Sequence, residues 1–150
     1  MQGSLRRGFS LIELVICIAI IGIVAGTGAV RFARSTQRAR VEAAAVRVAA
    51  MLEDARKRAR LGGNQSRVSA DASDGTIELT NNVDGGVLDL IDLHADGFRP
   101  EIKVTCSDGS SVIYYDSYGR PSVDFSFTIA AAGFQRVITV NSETGHASIE

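Results

Sequence analysis

The feature that most constrains this chain is the apolar run from Phe9 to Val30, interrupted only by Ser10, Glu13 and small residues. At 1.5 Å rise per residue, a helix of that length spans roughly 30 Å, one hydrocarbon core, so a single membrane pass is expected. One carboxylate stands at the mouth of that helix. A charge near hydrocarbon costs at least ~2.5 kcal/mol, which makes an acid kept there a functional candidate by default. Glu13 is therefore the residue to explain. A cleaved secretory signal would place a small-x-small site after its apolar region, whereas here the apolar run continues into a helical pattern. The plain alternative for Glu13 is an interfacial acid that snorkels into water and does nothing more.

The surrounding residues favour a role. The run Arg7-Gly8-Phe9-Ser10-Leu11-Ile12-Glu13-Leu14 resembles the class III signal of type IV prepilins and type II secretion pseudopilins, with glycine, aromatic residue, apolar pair and glutamate in register. The resemblance implies that a prepilin peptidase cuts between Gly8 and Phe9 and that the new amino group of Phe9 is methylated. Glu13 then becomes the fifth residue of the mature chain. A buried carboxylate is tolerable when paired with a cation, and the amine of Phe9 on a neighbouring subunit is such a cation. Glu13 would thus set the register of helix packing in a fibre. The family usually has proline at the position of Val30. Here Gly22, Gly26 and Gly28 either loosen the helix or, through the spacing of Gly22 and Gly26, let helices approach closely. Arg6 and Arg7 precede the span while Arg31, Arg34, Arg38 and Arg40 follow it. The count of cations does not favour a cytoplasmic N-terminus; the resemblance does.

Past the span, apolar or small residues recur at Val41, Ala44, Ala45, Val48, Leu52, Ala55 and Ala59, the spacing of one helix face. Arg40, Arg47, Glu53, Lys57 and Arg60 take other faces. The helix is expected to continue to about Leu61, where Gly62-Gly63-Asn64 supplies a stop. Its heptads are too few for a coiled coil, so the stripe should pack on the chain's own second half. There the pattern changes to short alternating segments: Ser66 to Ala70, Gly75 to Thr80, Val87 to Leu93, Ile102 to Thr105, Val112 to Tyr115, Val123 to Ile129 and Arg136 to Asn141. Turn signals at Asp74-Gly75, Asp108-Gly109, Tyr118-Gly119-Arg120-Pro121, Ala132-Gly133 and Thr144-Gly145 separate them. A β domain this small gains from docking onto the helix stripe.

Val112-Ile113-Tyr114-Tyr115 with Gly119-Arg120, Phe134-Gln135-Arg136-Val137-Ile138-Thr139-Val140 and the turn Thr144-Gly145 resemble the H-type minor pseudopilin and FimT-like minor pilin family. Relatives that take up DNA carry a basic Gly-Arg-x-Arg element near the end. The corresponding run here is Gly145-His146-Ala147-Ser148, without either arginine. From Val68 onward only Arg99, Lys103, Arg120 and Arg136 stand against a large excess of Asp and Glu. Phosphate binding needs clustered Lys or Arg, so nucleic acid is not an expected partner. The basic stem either pairs with acidic lipid headgroups or neighbouring heads, or is a solvated face.

Little points to chemistry in the head. His94, in Asp92-Leu93-His94-Ala95-Asp96, has no accompanying HExxH, GxSxG or Cys-x-x-Cys spacing and reads as a polar loop position. Asp84, Asp89, Asp92 and Asp96 lack an EF-hand spacing, so no metal and no cofactor is expected. Cys17 in the span and Cys106 in the β domain should not pair, and Cys106 reads as a small buried hydrophobe. Asn64-Gln65-Ser66 matches a glycosylation sequon, and its place at the helix stop accounts for it.

The expected fold is α+β and pilin-like: a long N-terminal helix, half membrane-embedded and half amphipathic, packed on a small antiparallel β-sheet domain. The expected segments are a leader at 1–8, a transmembrane and assembly helix at 9–30, an amphipathic stem at 31–62 and a periplasmic β-rich head at 63–150. The resemblance implies a non-enzymatic minor pseudopilin of a type II secretion pseudopilus, anchored by one pass in the inner membrane with its head in the periplasm. Its partners would be the prepilin peptidase, major and minor pseudopilins and inner-membrane lipid. The alternatives are a minor pilin of a type IV pilus and a membrane-anchored periplasmic domain that never polymerises.

Overall fold

The computed structural model of the chain describes residues 10–150, and their side chains except those of residues 25–30 and 96. One helix, α1, runs over Leu11–Gly62. Eight strands follow: β1 Ser66–Asp71, β2 Thr76–Asn81, β3 Val87–Asp92, β4 Glu101–Cys106, β5 Val112–Tyr115, β6 Phe125–Ala131, β7 Phe134–Val140 and β8 Ala147–Ile149. A single 3₁₀ turn, Ala95–Gly97, lies between β3 and β4. The chain divides into two compact units, Met1–Thr36, described from Ser10 onward, and Gln37–Glu150.

Within the first unit, the Ser10 carbonyl opens α1 by accepting the N–H of Glu13 at 3.0 Å and of Leu14 at 3.3 Å. Within the second unit, the remainder of α1 buries one face: Val41, Ala44, Ala45, Val48, Met51, Leu52, Ala55 and Ala59. Every position of the expected stripe is buried, and Met51 widens it. Four of the eight are alanine, and the larger partners come from the sheets.

The β region forms two four-stranded antiparallel sheets rather than one, with orders β3-β2-β1-β5 and β4-β6-β7-β8. Alternation fixes their register. Val68 pairs with Leu79 and with Ile113 in the first sheet, and Phe127 pairs with Ile138 in the second. Each pair is buried, so a slip of one residue would turn the apolar set to water. The core that joins the α1 stripe to both sheets is filled by Tyr115, Phe127, Leu52, Ile77, Leu79 and Ile113, all less than 2% exposed. Cys106 lies in this core as expected. Strand β8 was not expected, because three residues are too few to show alternation.

The β6–β7 hairpin closes through Ala131 and Phe134, leaving a two-residue turn in which both Ala132 (φ 52°) and Gly133 (φ 82°) are left-handed. That geometry suits the right-handed twist of the strands and favours Asn or Gly at the first position. Alanine there is strained by about 1 kcal/mol. Ala132→Asn should therefore raise the thermal midpoint by about 2–4 °C, read by circular dichroism, whereas a turn without strain would leave it unchanged.

Candidate assembly site

Between Leu11 and Ile23, α1 carries Leu11, Ile12, Leu14, Val15, Ile16, Ile18, Ile20, Ile21 and Ile23, each between 49% and 81% exposed. At 100° per residue these nine side chains leave one sector of about 100°, which holds Glu13, Cys17 and Val24, so Glu13 is the one charge on an otherwise apolar circumference. A helix apolar on all sides belongs in an apolar surrounding. Burying each such side chain stabilises by about 1.5–3 kcal/mol, so the drive to cover this surface is large.

Glu13 interrupts that surface. It is exposed, in the first turn of α1, where the unsatisfied N–H groups of a helix start favour a negative charge. No cation partner for Glu13 is present among the described residues. Gly8 and Phe9, the expected cleavage pair, lie outside the described residues. Of the expected span at 9–30, Phe9 and the side chains of residues 25–30 also lie outside them, and among the described residues no helix is long and apolar enough to cross a membrane. Cys17 is exposed on the same stretch, and its thiol is free.

A second cluster, in the unit Gln37–Glu150, was not read from the sequence. Glu53, placed by its spacing on a solvated face of the helix, is half-buried and ties α1 to the final hairpin. Its Oε1 accepts the N–H of Ala147 at 3.1 Å and meets His146 Nδ1, while Oε2 faces Arg56 Nη1 at 3.3 Å. Burial pushes the Glu53 carboxyl up, yet the bonds from His146 and Ala147 and the Arg56 charge outweigh it and hold the carboxyl below its ordinary value. The turn behind this clamp needs two glycines: a Cβ on Gly145 (φ +68°) would run into the Gly119 carbonyl, and one on Gly119 (φ +76°) would come within 2.7 Å of Arg60. The buried Tyr115 hydroxyl and Arg56 Nε have no hydrogen-bond partner among the described residues. Burial and then the Glu53 charge push the Tyr115 phenol well above its usual range, so it stays neutral. The remaining long-range ion pair, Arg136 Nε to Glu42 Oε2 at 2.6 Å, ties β7 to α1.

The other singled-out residues fall in structural places. His94 sits in the loop after β3, where its ring fills the space beside Gly75. Burial raises the Cys106 thiol above its ordinary value, which keeps it un-ionised. Asn81 and Asn82 anchor the β2–β3 turn, with Asn82 Nδ2 donating to Gln65 Oε1 at 2.9 Å beside the helix stop. Among the described residues no group of three or more His, Cys, Asp and Glu side chains is gathered to hold a metal ion.

Residues 3–29 match the family described as the prokaryotic N-terminal methylation motif. The structure is similar to the type IV minor pilin FimU of Pseudomonas aeruginosa, with a TM-score of 0.60 and 21% identity over 77% of this chain and 91% of that one. It is also similar to the minor pseudopilin EpsH from the type 2 secretion system of Vibrio cholerae, with a TM-score of 0.61 and 14% identity over 74% of this chain and 96% of that one. The fold is that of minor pilins and pseudopilins. Glu13 and the apolar stretch from Leu11 to Ile23 fall inside the matched N-terminal methylation motif. No curated protein sequence matches the chain.

The Glu53 clamp gives a pH test. A carboxyl held below its unfolded value of about 4.5 contributes stability that is fully present above that pH and is lost as the pH falls through the folded value. Glu53→Gln should cost about 1 kcal/mol at pH 7, a modest figure because the pair is partly solvated, and the difference from the parent should narrow below about pH 4. Thermal melts from pH 3 to 7 measure it. A difference constant across that range would remove Glu53 from the account.

Proposed function

We propose that the chain is a non-enzymatic minor subunit of a filament of the type IV pilus class, in the role of an H-type minor pseudopilin of a type II secretion pseudopilus. The observation that carries this is the helix between Leu11 and Ile23, apolar on every side and broken by one acid in its first turn. Such a surface fits lipid before assembly and like helices after it. In this reading residues 1–8 are a leader removed by a prepilin peptidase, and Phe9 becomes the methylated N-terminus. Residues 9–30 anchor the chain in the inner membrane and later pack in the filament core; 31–62 form the stem, and 63–150 the periplasmic head. Glu13 pairs with the amine of Phe9 on a neighbouring subunit, which neutralises both charges in a dry interior and sets the stagger between subunits.

The likeness to FimU supports a second machine, a type IV pilus in which the chain would be a minor pilin. Fold is common to both, and the partners decide. The absence of the Gly-Arg-x-Arg element and the acidic head speak against DNA as the ligand in either machine.

Glu13→Ala tests the shared core of these readings. In cells that assemble the fibre, the variant should be processed and retained in the membrane yet absent from sheared filaments, with incorporation down at least about tenfold, because the Phe9 amine would lose its counter-ion in hydrocarbon. Incorporation at the parental level, measured by immunoblot of the filament fraction, would mean that Glu13 is only an interfacial acid.

A further inference from the structure

Four strands stand at sheet edges, and three of them are managed. The outer side of β5 is covered by the chain that follows it, through the Ser122 N–H to the Tyr114 carbonyl at 2.8 Å and a bridge from Tyr115 to Pro121. Strand β4 alternates exposed Glu101 and Lys103 with buried Ile102, and a lysine on an edge discourages pairing. Strand β8 is only three residues long.

Strand β3 differs. Among the described residues it pairs with β2 alone; its charges are the acids Asp89 and Asp92, with no Lys or Pro, and it exposes Val87 (58%), Leu88 (42%) and Leu90 (51%), with Val83 of the preceding turn at 69%. These residues lie on both faces of the strand, so a body laid on one face of the sheet would cover only some of them. The register with β2 shifts between Leu79 and Thr80, which leaves Leu88 without a partner on β2. The Leu93 N–H points inward to the Gly75 carbonyl, so alternation turns the Leu90 N–H to the free side. There it donates to the carboxylate of Asp89, its own neighbour in sequence, at 2.9 Å.

Beside that edge lies an open trench. Two adjoining hollows of about 280 and 360 Å³ share Arg47 and run between the second-unit part of α1 and the stretch from Asp89 to Phe98, over a floor of Ala43, Ala44 and Ala50. A strand added to the edge would lie ~4.8 Å from β3, and Asp89, Leu90 and Ile91 of β3 line the second hollow. The two walls of the trench differ in charge, with Arg40, Arg47 and Asp54 on the α1 side and only acids, Asp89 and Asp92, on the β3 side. From Asp71 to Phe98 the sequence holds seven acids and no Lys or Arg. Asp84, Asp89 and Asp92 form no ion pair among the described residues, Arg47 across the trench included.

We infer that the free edge of β3 is a docking site for an extended segment of another polypeptide, one that alternates apolar residues with Lys or Arg and adds to the first sheet as a fifth strand. Main-chain bonds to the edge supply the attachment. Apolar side chains beside Leu88 and Leu90 cover what is exposed, and cations meet Asp89 and Asp92. A second copy of β3 is the wrong partner, since its own acids would be brought against these. The inference goes beyond the filament role and holds whichever machine the chain serves.

The test uses the full chain in detergent micelles and a fluorescent peptide of about ten residues alternating valine and lysine, with a valine–glutamate peptide as its opposite. The valine–lysine peptide should bind and slow hydrogen exchange of the Leu90 amide. Leu90→Pro, which removes that N–H at an edge position where proline is tolerated, should weaken binding at least tenfold. Asp89→Lys with Asp92→Lys, which leaves the main chain intact, should reverse the preference towards the valine–glutamate peptide. Equal binding of the two peptides by the parent, or binding that protects only amides of α1, would overturn the inference. So would protection of Leu90 that rises with protein concentration alone, which would mean pairing of two copies.

Discussion

Nine aliphatic side chains between Leu11 and Ile23 stand exposed around most of the circumference of α1, and nothing among the described residues of the first unit covers them. This surface is what the chain must resolve before anything else. At about 1.5–3 kcal/mol per side chain the total matches or exceeds the stability of an ordinary domain, so the drive to take the segment out of water is large. Lipid and a bundle of like helices are the two surroundings that meet the need. Glu13 is acceptable in the first through its place at the helix mouth and in the second only with a cation beside it.

The second unit solves a different problem. A helix face and some ninety residues of short strands are each too small to hold a core alone. Small alanines line the buried face of α1, and the large side chains, Tyr115, Phe127 and Ile113, come from the strands. Charge then fastens the ends: Glu53 holds the final hairpin through His146 and Ala147, and Glu42 holds β7 through Arg136. The two glycines at 119 and 145 permit the contact between turns that brings His146 to Glu53.

Much of this was legible in the sequence, for physical reasons. The α1 stripe was read residue by residue because a helix buried on one face imposes a 3.6-residue period, and the helix stop followed from Gly62-Gly63. The strands with inward alternation were found for the same reason. What escaped depends on partners distant in sequence. Glu53 looked like a solvated charge because its partners lie more than ninety residues away. The division into two sheets is a matter of pairing, which alternation does not encode, and β8 is too short to carry a period. At β3 the exposed Val87, Leu88 and Leu90 read as an ordinary apolar strand, since sequence does not tell an edge from a centre. Gly8, Phe9 and Glu13 were singled out from a local motif, and the match over residues 3–29 rests on the same stretch.

The central claim is that the apolar half of α1 becomes a filament core element once its leader is removed. The most direct measurement is the mass of the N-terminal peptide of the full chain after co-expression with a prepilin peptidase and extraction from membranes. The account requires a chain that begins at N-methylated Phe9. An intact Met1 start, under conditions where a control prepilin is cut, would contradict it and leave an anchored domain that does not polymerise.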